Sequence, residues 1–269
     1  MRSTLSLPLL ALALRARAGE FDAWKFGNMF ALGPTSGDAY ITKATWSVVP
    51  PSVPCGAKME NPNDPPFMSI WIGVTQTFTE PGMDLFQPLL NWSPDQESQV
   101  CAGSETEWCV AASTFTLNGQ VQQAYEVVPN QAQLDFEIDV DDSHTVSQKV
   151  FTNGKLVSQQ SDRDANGKPP VILYSANECY LGTCGTLDGY SKKHCNWDLW
   201  NFANYLFTQA WDNVTIVLST ADKSFGDTLS LTGASGSFTS DDGKTWHTDS
   251  IKIDKDYFYA DGSKTECSA

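Results

Sequence analysis

The chain reads as an all-β protein, a two-sheet sandwich with little helix. Three observations predict this class. Seven segments alternate apolar and polar residues at the two-residue period of a strand: 39–49 (AYITKATWSVV), 67–78, 133–142, 145–160, 171–181, 213–220 and 249–260. Short turn signals separate or interrupt them, with Asn153-Gly154 splitting the fourth segment into a hairpin and Asp242-Gly243 marking another turn. One stretch only, 197–211 (WDLWNFANYLFTQAW), spaces its apolar residues like a helix, while aromatics make up 12% of the chain. The proline-rich run 49–66 is a loop. No repeat and no linker divides the chain, so a single sandwich domain over 19–269 is expected, which 269 residues of β structure accommodate.

The first residues set the compartment. Arg2 precedes the apolar run 5–14, and Ala16-Arg17-Ala18 supplies a small-x-small cleavage pattern before Gly19. Residues 1–18 therefore read as a signal peptide, too short to act as a membrane anchor. The expected product is a secreted, extracellular monomer that neither binds nor spans a membrane. The formal charge is −15, and removing residues 1–18 takes away Arg2, Arg15 and Arg17 but no acid, which moves it to −18. So acidic a chain repels phosphate backbones, and nucleic acid is excluded as a partner.

Seven cysteines follow the leader: Cys55, Cys101, Cys109, Cys179, Cys184, Cys195 and Cys267. Outside the cell they pair, giving up to three bridges with one thiol left over. Cys101–Cys109 and Cys179 with either Cys184 or Cys195 are natural local loops; spacing alone does not fix the connectivity. The cysteines lack a zinc-type spacing, and His144, His194 and His247 do not cluster with them, so no metal and no cofactor is expected.

Two stretches carry candidate chemistry. In 134–142 (LDFEIDVDD), Leu134, Phe136, Ile138 and Val140 face one way, and Asp135, Glu137, Asp139 and Asp141 the other. Such a row of carboxylates would titrate high if enclosed, and paired carboxyls are what sugar hydrolysis requires. The run from Glu137 to Asp142 resembles the E-x-D-x-x-E signature of laminarinase-type glycoside hydrolases, with Asp142 where that family has its acid/base Glu. Glu137, Asp139 and Asp142 are the candidate residues of that reading; a solvated strand face or a weak calcium site is the plain alternative. In 83–95 (MDLFQPLLNWSPD), Gln87 and Asn91 fall on one side of a strand, two amides able to face a developing oxyanion. Asn91-Trp92-Ser93 is also a glycosylation sequon, as is Asn213-Val214-Thr215, so Asn91 and Asn213 are both candidate sugar acceptors.

A second resemblance covers most of the chain, from about residue 26 to 260. The stretch 39–49, the loop after it and Ser69-Ile70-Trp71-Ile72-Gly73 are similar to the first strands of the eqolisins, the fungal glutamic peptidases. Pro88-Leu89-Leu90-Asn91 resembles that family's I-L-Q strand end, and Ala176-Asn177-Glu178-Cys179 its A-E-W strand. The resemblance implies a concanavalin A-like sandwich and acid cleavage of a polypeptide. Glu178 would be the general base, and Asn91, one methylene shorter than the family's Gln, would be the oxyanion donor with Gln87 as its alternative. Trp71 would line the substrate cleft together with Trp46, Tyr174 and Tyr180.

The remaining tryptophans divide between core and surface. The stretch 196–207 mixes Trp, Tyr and Asn, residue types that stack on sugar rings and bond their hydroxyls. A polysaccharide is therefore the competing substrate, for a glucan hydrolase, a lectin or a relative that binds without cleaving. Nucleophile chemistry finds no support, since G-x-S-x-G is absent and no phosphate-binding glycine loop follows a strand.

Overall fold

The computed structural model describes residues 23–77, 84–189 and 209–267. The expected leader 1–18 and the helix-like stretch up to residue 208 lie outside them. The chain begins with β1 (Trp24–Leu32), β2 (Ile41–Val48), β3 (Met68–Thr75), β4 (Leu85–Phe86) and β5 (Leu89–Trp92). It continues through β6 (Trp108–Ala111), β7 (Ser113–Thr116), β8 (Gly119–Gln122), β9 (Glu126–Val128), β10 (Leu134–Val140), β11 (Thr145–Thr152) and β12 (Lys155–Arg163). The last strands are β13 (Ile172–Tyr180), β14 (Gly185–Leu187), β15 (Ala210–Leu218), β16 (Ser230–Thr232), β17 (Ala234–Ser235), β18 (Thr245–Ile253) and β19 (Asp256–Phe258). Only two short 3-10 turns, at Glu97–Gln99 and Phe225–Thr228, are helical among the described residues.

These strands form the expected sandwich. A ten-stranded antiparallel sheet runs β16-β1-β13-β3-β4-β7-β8, with β5, β6 and β9 branching from β3. A seven-stranded sheet runs β12-β11-β10-β2-β15-β18-β17, and β14 pairs with β19. Between the two large sheets lies the main core. The ten-stranded sheet contributes Ile70, Ile72, Leu90 and Leu173; the seven-stranded sheet contributes Trp46, Phe136, Trp211 and Ile216. Fully burying a side chain of this size stabilises the fold by about 2–3 kcal/mol.

The two sheets differ in their outer faces, and the difference places the site. Strand β10 alternates buried and partly exposed residues, as a sheet with one wet face does. Strand β3 is buried at every position, and β13 at seven of nine. A second apolar cluster of Ala31, Trp71, Leu89, Tyr174 and Ala176 covers the side of β3 and β13 turned away from the main core. Phe26, Met29, Leu85 and Tyr125 pack against it. The larger sheet therefore has a sheltered outer hollow, while the smaller sheet has an open outer face.

Turns and bridges follow the sequence in part. Asn153 and Gly154 both take positive φ, 49° and 77°, as the two-residue hairpin requires. The run from Gln87 to Asn91 is not one strand: Pro88 has no N–H for the ladder, so β4 ends at Phe86 and β5 starts at Leu89. The helix-like periodicity carried to Trp211 is overturned at its end, where Ala210 and Trp211 open β15 and Trp211 is a core residue at 1% exposure. Cys101–Cys109 and Cys179–Cys184 are bridged, and so is Cys55–Cys267, which ties the loop before β3 to the C-terminal tail across 212 residues. Cys195 lies outside the described residues.

Candidate functional site

Glu178 stands on β13 and faces the sheltered hollow. Cross-strand register fixes its neighbours: Glu178 pairs with Phe26 of β1 on one side and with Ser69 of β3 on the other. Ser69 pairs in turn with Asn91 of β5, and Asn91 with Cys109 of β6. Directly paired residues project to the same face, so Phe26, Glu178, Ser69 and Asn91 form one row. Strand spacing puts the Glu178 and Asn91 backbones about 10 Å apart, with the small Ser69 between them. Glu178 and Asn91 therefore flank the small Ser69 on that face.

The amide is oriented by that serine. Ser69 Oγ donates to Asn91 Oδ1 at 2.9 Å, and Asn91 Nδ2 is buried with no hydrogen-bond partner. A buried amide without an acceptor is unfavourable by about 1–3 kcal/mol, so this donor is poised for one brought by a ligand. Ser69 is the residue that sequence reasoning left without a role. It stands within the quoted Ser69–Gly73 motif, but its bond to Asn91 depends on the pairing of β3 with β5.

Gln87 shares the face but not the row. It lies beside Gly73, where a Cβ would sit 2.9 Å from the Gln87 Cβ, and Gly73 pairs with Tyr174. Tyr174 is four residues from Glu178, about 13 Å along the strand. Gln87 is buried at 5% exposure and its Oε1 lacks a partner, yet Asn91 is the amide placed opposite Glu178.

Electrostatics mark the same carboxyl group. Glu178 keeps a little accessible surface as a residue, but its carboxyl is enclosed by protein, and this burial pushes its pKa up from 4.5 to about 7. The Trp71 indole N–H opposes the rise; it lies close enough to favour the charged form without meeting hydrogen-bond geometry. Trp71 is fully buried and meets Tyr174 edge-on at 5.1 Å. Burial, and secondarily the Glu178 charge, also raises the Tyr174 hydroxyl. Trp71 and Tyr174 thus floor an enclosure whose desolvation of the Glu178 carboxyl outweighs the pull of the Trp71 N–H.

Other expected site residues fall elsewhere. Trp46 lies apart from Glu178: it points between the sheets, 1% exposed and stacked 5.5 Å from Phe136, because β2 belongs to the opposite sheet. Tyr180 lies on the Glu178 face one row along, partly exposed, and stacks on Phe67 at 5.0 Å. Asn91 as a sugar acceptor conflicts with its burial at 0% exposure, which leaves a glycan no room; Asn213 is exposed.

Glu137 and Asp139 occupy the outer face of the seven-stranded sheet, on the far side of the sandwich from Glu178. They are not an enclosed row of carboxylates left to repel one another. Lys43 and Lys149, from the flanking strands β2 and β11, contact both carboxylates at 2.6–3.4 Å. Hydrogen bonds from Lys149 and then Lys43 pull the Glu137 carboxyl down to about 2. Asp142 is exposed in the turn after β10. A carboxyl held ionised to such low pH is a poor proton donor to a glycosidic oxygen. Among the described residues no group of three or more His, Cys, Asp or Glu side chains is arranged to hold a metal ion.

No family profile matches the chain, and no curated protein matches its sequence. Solved structures do match in shape. Scytalido-glutamic peptidase with a peptide-based transition state analog covers 84% of this chain and 97% of its own, at 9% identity and a TM-score of 0.42. SCP-B, a member of the eqolisin family in complex with the tripeptide Ala-Ile-His, covers 87% and 98% at 10% identity and a TM-score of 0.42. The Bacillus licheniformis beta-glucanase covers 85% of this chain and 78% of its own at 10% identity and a TM-score of 0.32. At such identities and TM-scores the likeness says nothing of chemistry, which has to come from this chain's own residues. The two-sheet antiparallel sandwich itself rests on this chain's own strand pairing and core.

Proposed function

We propose that this protein hydrolyses peptide bonds, with Glu178 as general base and the Asn91 amide as oxyanion donor. The observation that carries the reading is the row Glu178–Ser69–Asn91: an enclosed carboxyl and a buried, unpartnered amide donor on one face of one sheet. Ionised Glu178 takes a proton from a water held in the hollow, and the oxygen adds to the scissile carbonyl. Asn91 Nδ2 donates to the oxyanion that forms, a contact made fully only in the transition state. Glu178 then returns the proton to the departing amine as the C–N bond breaks. The water is consumed, the amide becomes an acid and an amine, and the carboxylate is restored.

The burial of Glu178 changes the pH range expected from the resemblance. A carboxyl pushed up to about 7 is mostly neutral in acid and unable to accept a proton there. Hydrolysis should therefore rise through neutrality. Three disulfides suit an oxidising compartment, and no helix among the described residues is long and apolar enough to cross a membrane. We place the protein outside the cell, acting on unfolded or extended polypeptide that can reach a sheet face.

The test is incubation with denatured casein and, separately, with laminarin and other β-glucans, between pH 4 and 9. Peptide fragments that appear above about pH 6 and vanish in Glu178→Gln support the proposal. Reducing sugar released by the wild type and lost in Glu137→Gln would overturn it, as would glycan retention with no cleavage of either polymer.

A further inference from the structure

Behind Glu178, on the opposite side of β13, the preceding residue enters a second polar cluster. Asn177 is 2% exposed; its Nδ2 donates to Asp256 Oδ2 at 2.7 Å and to Gln209 Oε1 at 3.0 Å. Gln209, fully buried, returns a bond from Nε2 to Asn177 Oδ1 at 2.7 Å. The Asp256 carboxylate, 7% exposed, also accepts the Asn28 backbone N–H on both oxygens, at 3.0 and 2.9 Å. The Asn28 side chain donates to the backbone oxygens of Asp254 and Lys255, just before β19. Among the described residues no positive side chain pairs with Asp256; its carboxylate is held by these amide donors.

This cluster sits in an irregularity of β1. The register of β1 with β13 slips between Phe26 and Met29: Phe26 pairs with Glu178 and Met29 with Ala176, so Gly27 and Asn28 together oppose Asn177. That is a β-bulge, and its consequence is geometric. In a regular strand, residues three apart point to opposite faces. The extra residue puts both Phe26 and Met29 on the Glu178 face, against the Trp71–Tyr174 cluster. Gly27 is required for the arrangement, because a Cβ there would lie 2.5 Å from Asp256 Cγ. The bulge closes around the carboxylate.

We propose that Asp256 is a positioning residue for Glu178: its carboxylate holds the β1 bulge open, so that Phe26 seals the site carboxyl and β13 keeps Glu178 in the row of Asn91. Without it, the Asn28 N–H and the Asn177 amide lose their buried acceptor. The strand then relaxes toward regular pairing, which turns either Phe26 or Met29 out of the hollow. The inference rests on the reading of Glu178 as the site base, but its first readout does not need activity.

The experiment is a ¹³C NMR titration of the Glu178 carboxyl in the folded protein, wild type against Asp256→Asn, Gly27→Ala and the core variant Ile251→Val, whose side chain lies between the large sheets. Asp256→Asn keeps the shape but puts a donor where acceptors are needed; Gly27→Ala displaces the carboxylate from the other side. The expected result is a Glu178 midpoint lowered by about one unit or more in both bulge variants as water reaches the carboxyl. Amide exchange over residues 26–29 should accelerate, and Ile251→Val should leave both readouts at their wild-type values. With a cleavable peptide, the bulge variants should lose about 10-fold or more in kcat with little change in KM. An unchanged Glu178 midpoint and unchanged exchange in folded Asp256→Asn would overturn the inference. Equal shifts in all three variants would do so too. Absence of proteolysis in the wild type with the midpoint shifts intact would sink the hydrolase reading and leave the positioning role standing.

Discussion

Replacing Glu178 by Gln should alter how stability depends on pH by a calculable amount. The Glu178 carboxyl rises from its ordinary 4.5 to about 7 on folding, chiefly through burial. Between those values the native state holds a proton that the unfolded state has released, so folding is favoured at low pH and loses that advantage as pH climbs through 7. At about 1.4 kcal/mol per unit, the contribution is about 3 kcal/mol. Gln cannot titrate and keeps nearly the same shape. Asp256, raised to about 6 by burial, acts in the same direction, whereas Glu137 and Asp222, both held near 2, act in the opposite one. Glu178→Gln leaves the Asp256 cluster behind β13 in place, so subtracting the variant from the wild type removes all three contributions. Urea unfolding at pH 4, 6 and 8 measures the difference. Relative to Glu178→Gln, the wild type should be about 3 kcal/mol better off at pH 4 than at pH 8. A flat difference, or one of opposite sign, would refute the claim that the Glu178 carboxyl is enclosed.

Three further outcomes follow from the same geometry. Asn91→Ala removes the oxyanion donor and should lower kcat by about 100- to 1,000-fold, while Ser69→Ala, which only frees the amide to rotate, should lower it less; steady-state kinetics on a peptide substrate separate the two. Removing the Cys55–Cys267 bridge, which closes a span of 212 residues, should reduce stability by up to about 5 kcal/mol in the chain-entropy account, read from denaturant midpoints of a double Ala variant. Mass spectrometry of protein made in a glycosylating host should find sugar on exposed Asn213 and none on buried Asn91.

Much of the sandwich is legible in the residues because alternation is a local property. Strands β2, β3, β10, β11 and β13 lie within the segments marked by their period, and β12 starts in one and runs on to Arg163. Strand β1 escapes that reading because its bulge breaks the period: in WKFGNMFAL, Phe26 and Met29 share a face three positions apart. The short strands β6 to β9 give too few residues for a pattern, and the bridge from Cys55 to Cys267 joins segments that nothing local connects. The site is legible by halves. Glu178 and Asn91 are visible as an acid and an amide on separate strands, and their shared row follows only from β3 lying between them. Trp46 and Trp71 look alike as strand tryptophans; which sheet each belongs to decides that one is core and the other is floor. The carboxylates of β10 face one way as their spacing dictates, but Lys43 and Lys149, which neutralise them, come from neighbouring strands.

Structure determination with a peptide-based transition-state analogue tests the central claim most directly. Peptide binding at this face predicts one tetrahedral oxygen within about 3 Å of Asn91 Nδ2 and the other beside the Glu178 carboxyl, over the Trp71–Tyr174 floor. An analogue found on the Glu137 face, or bound beside Glu178 with Asn91 still without an acceptor, would contradict it.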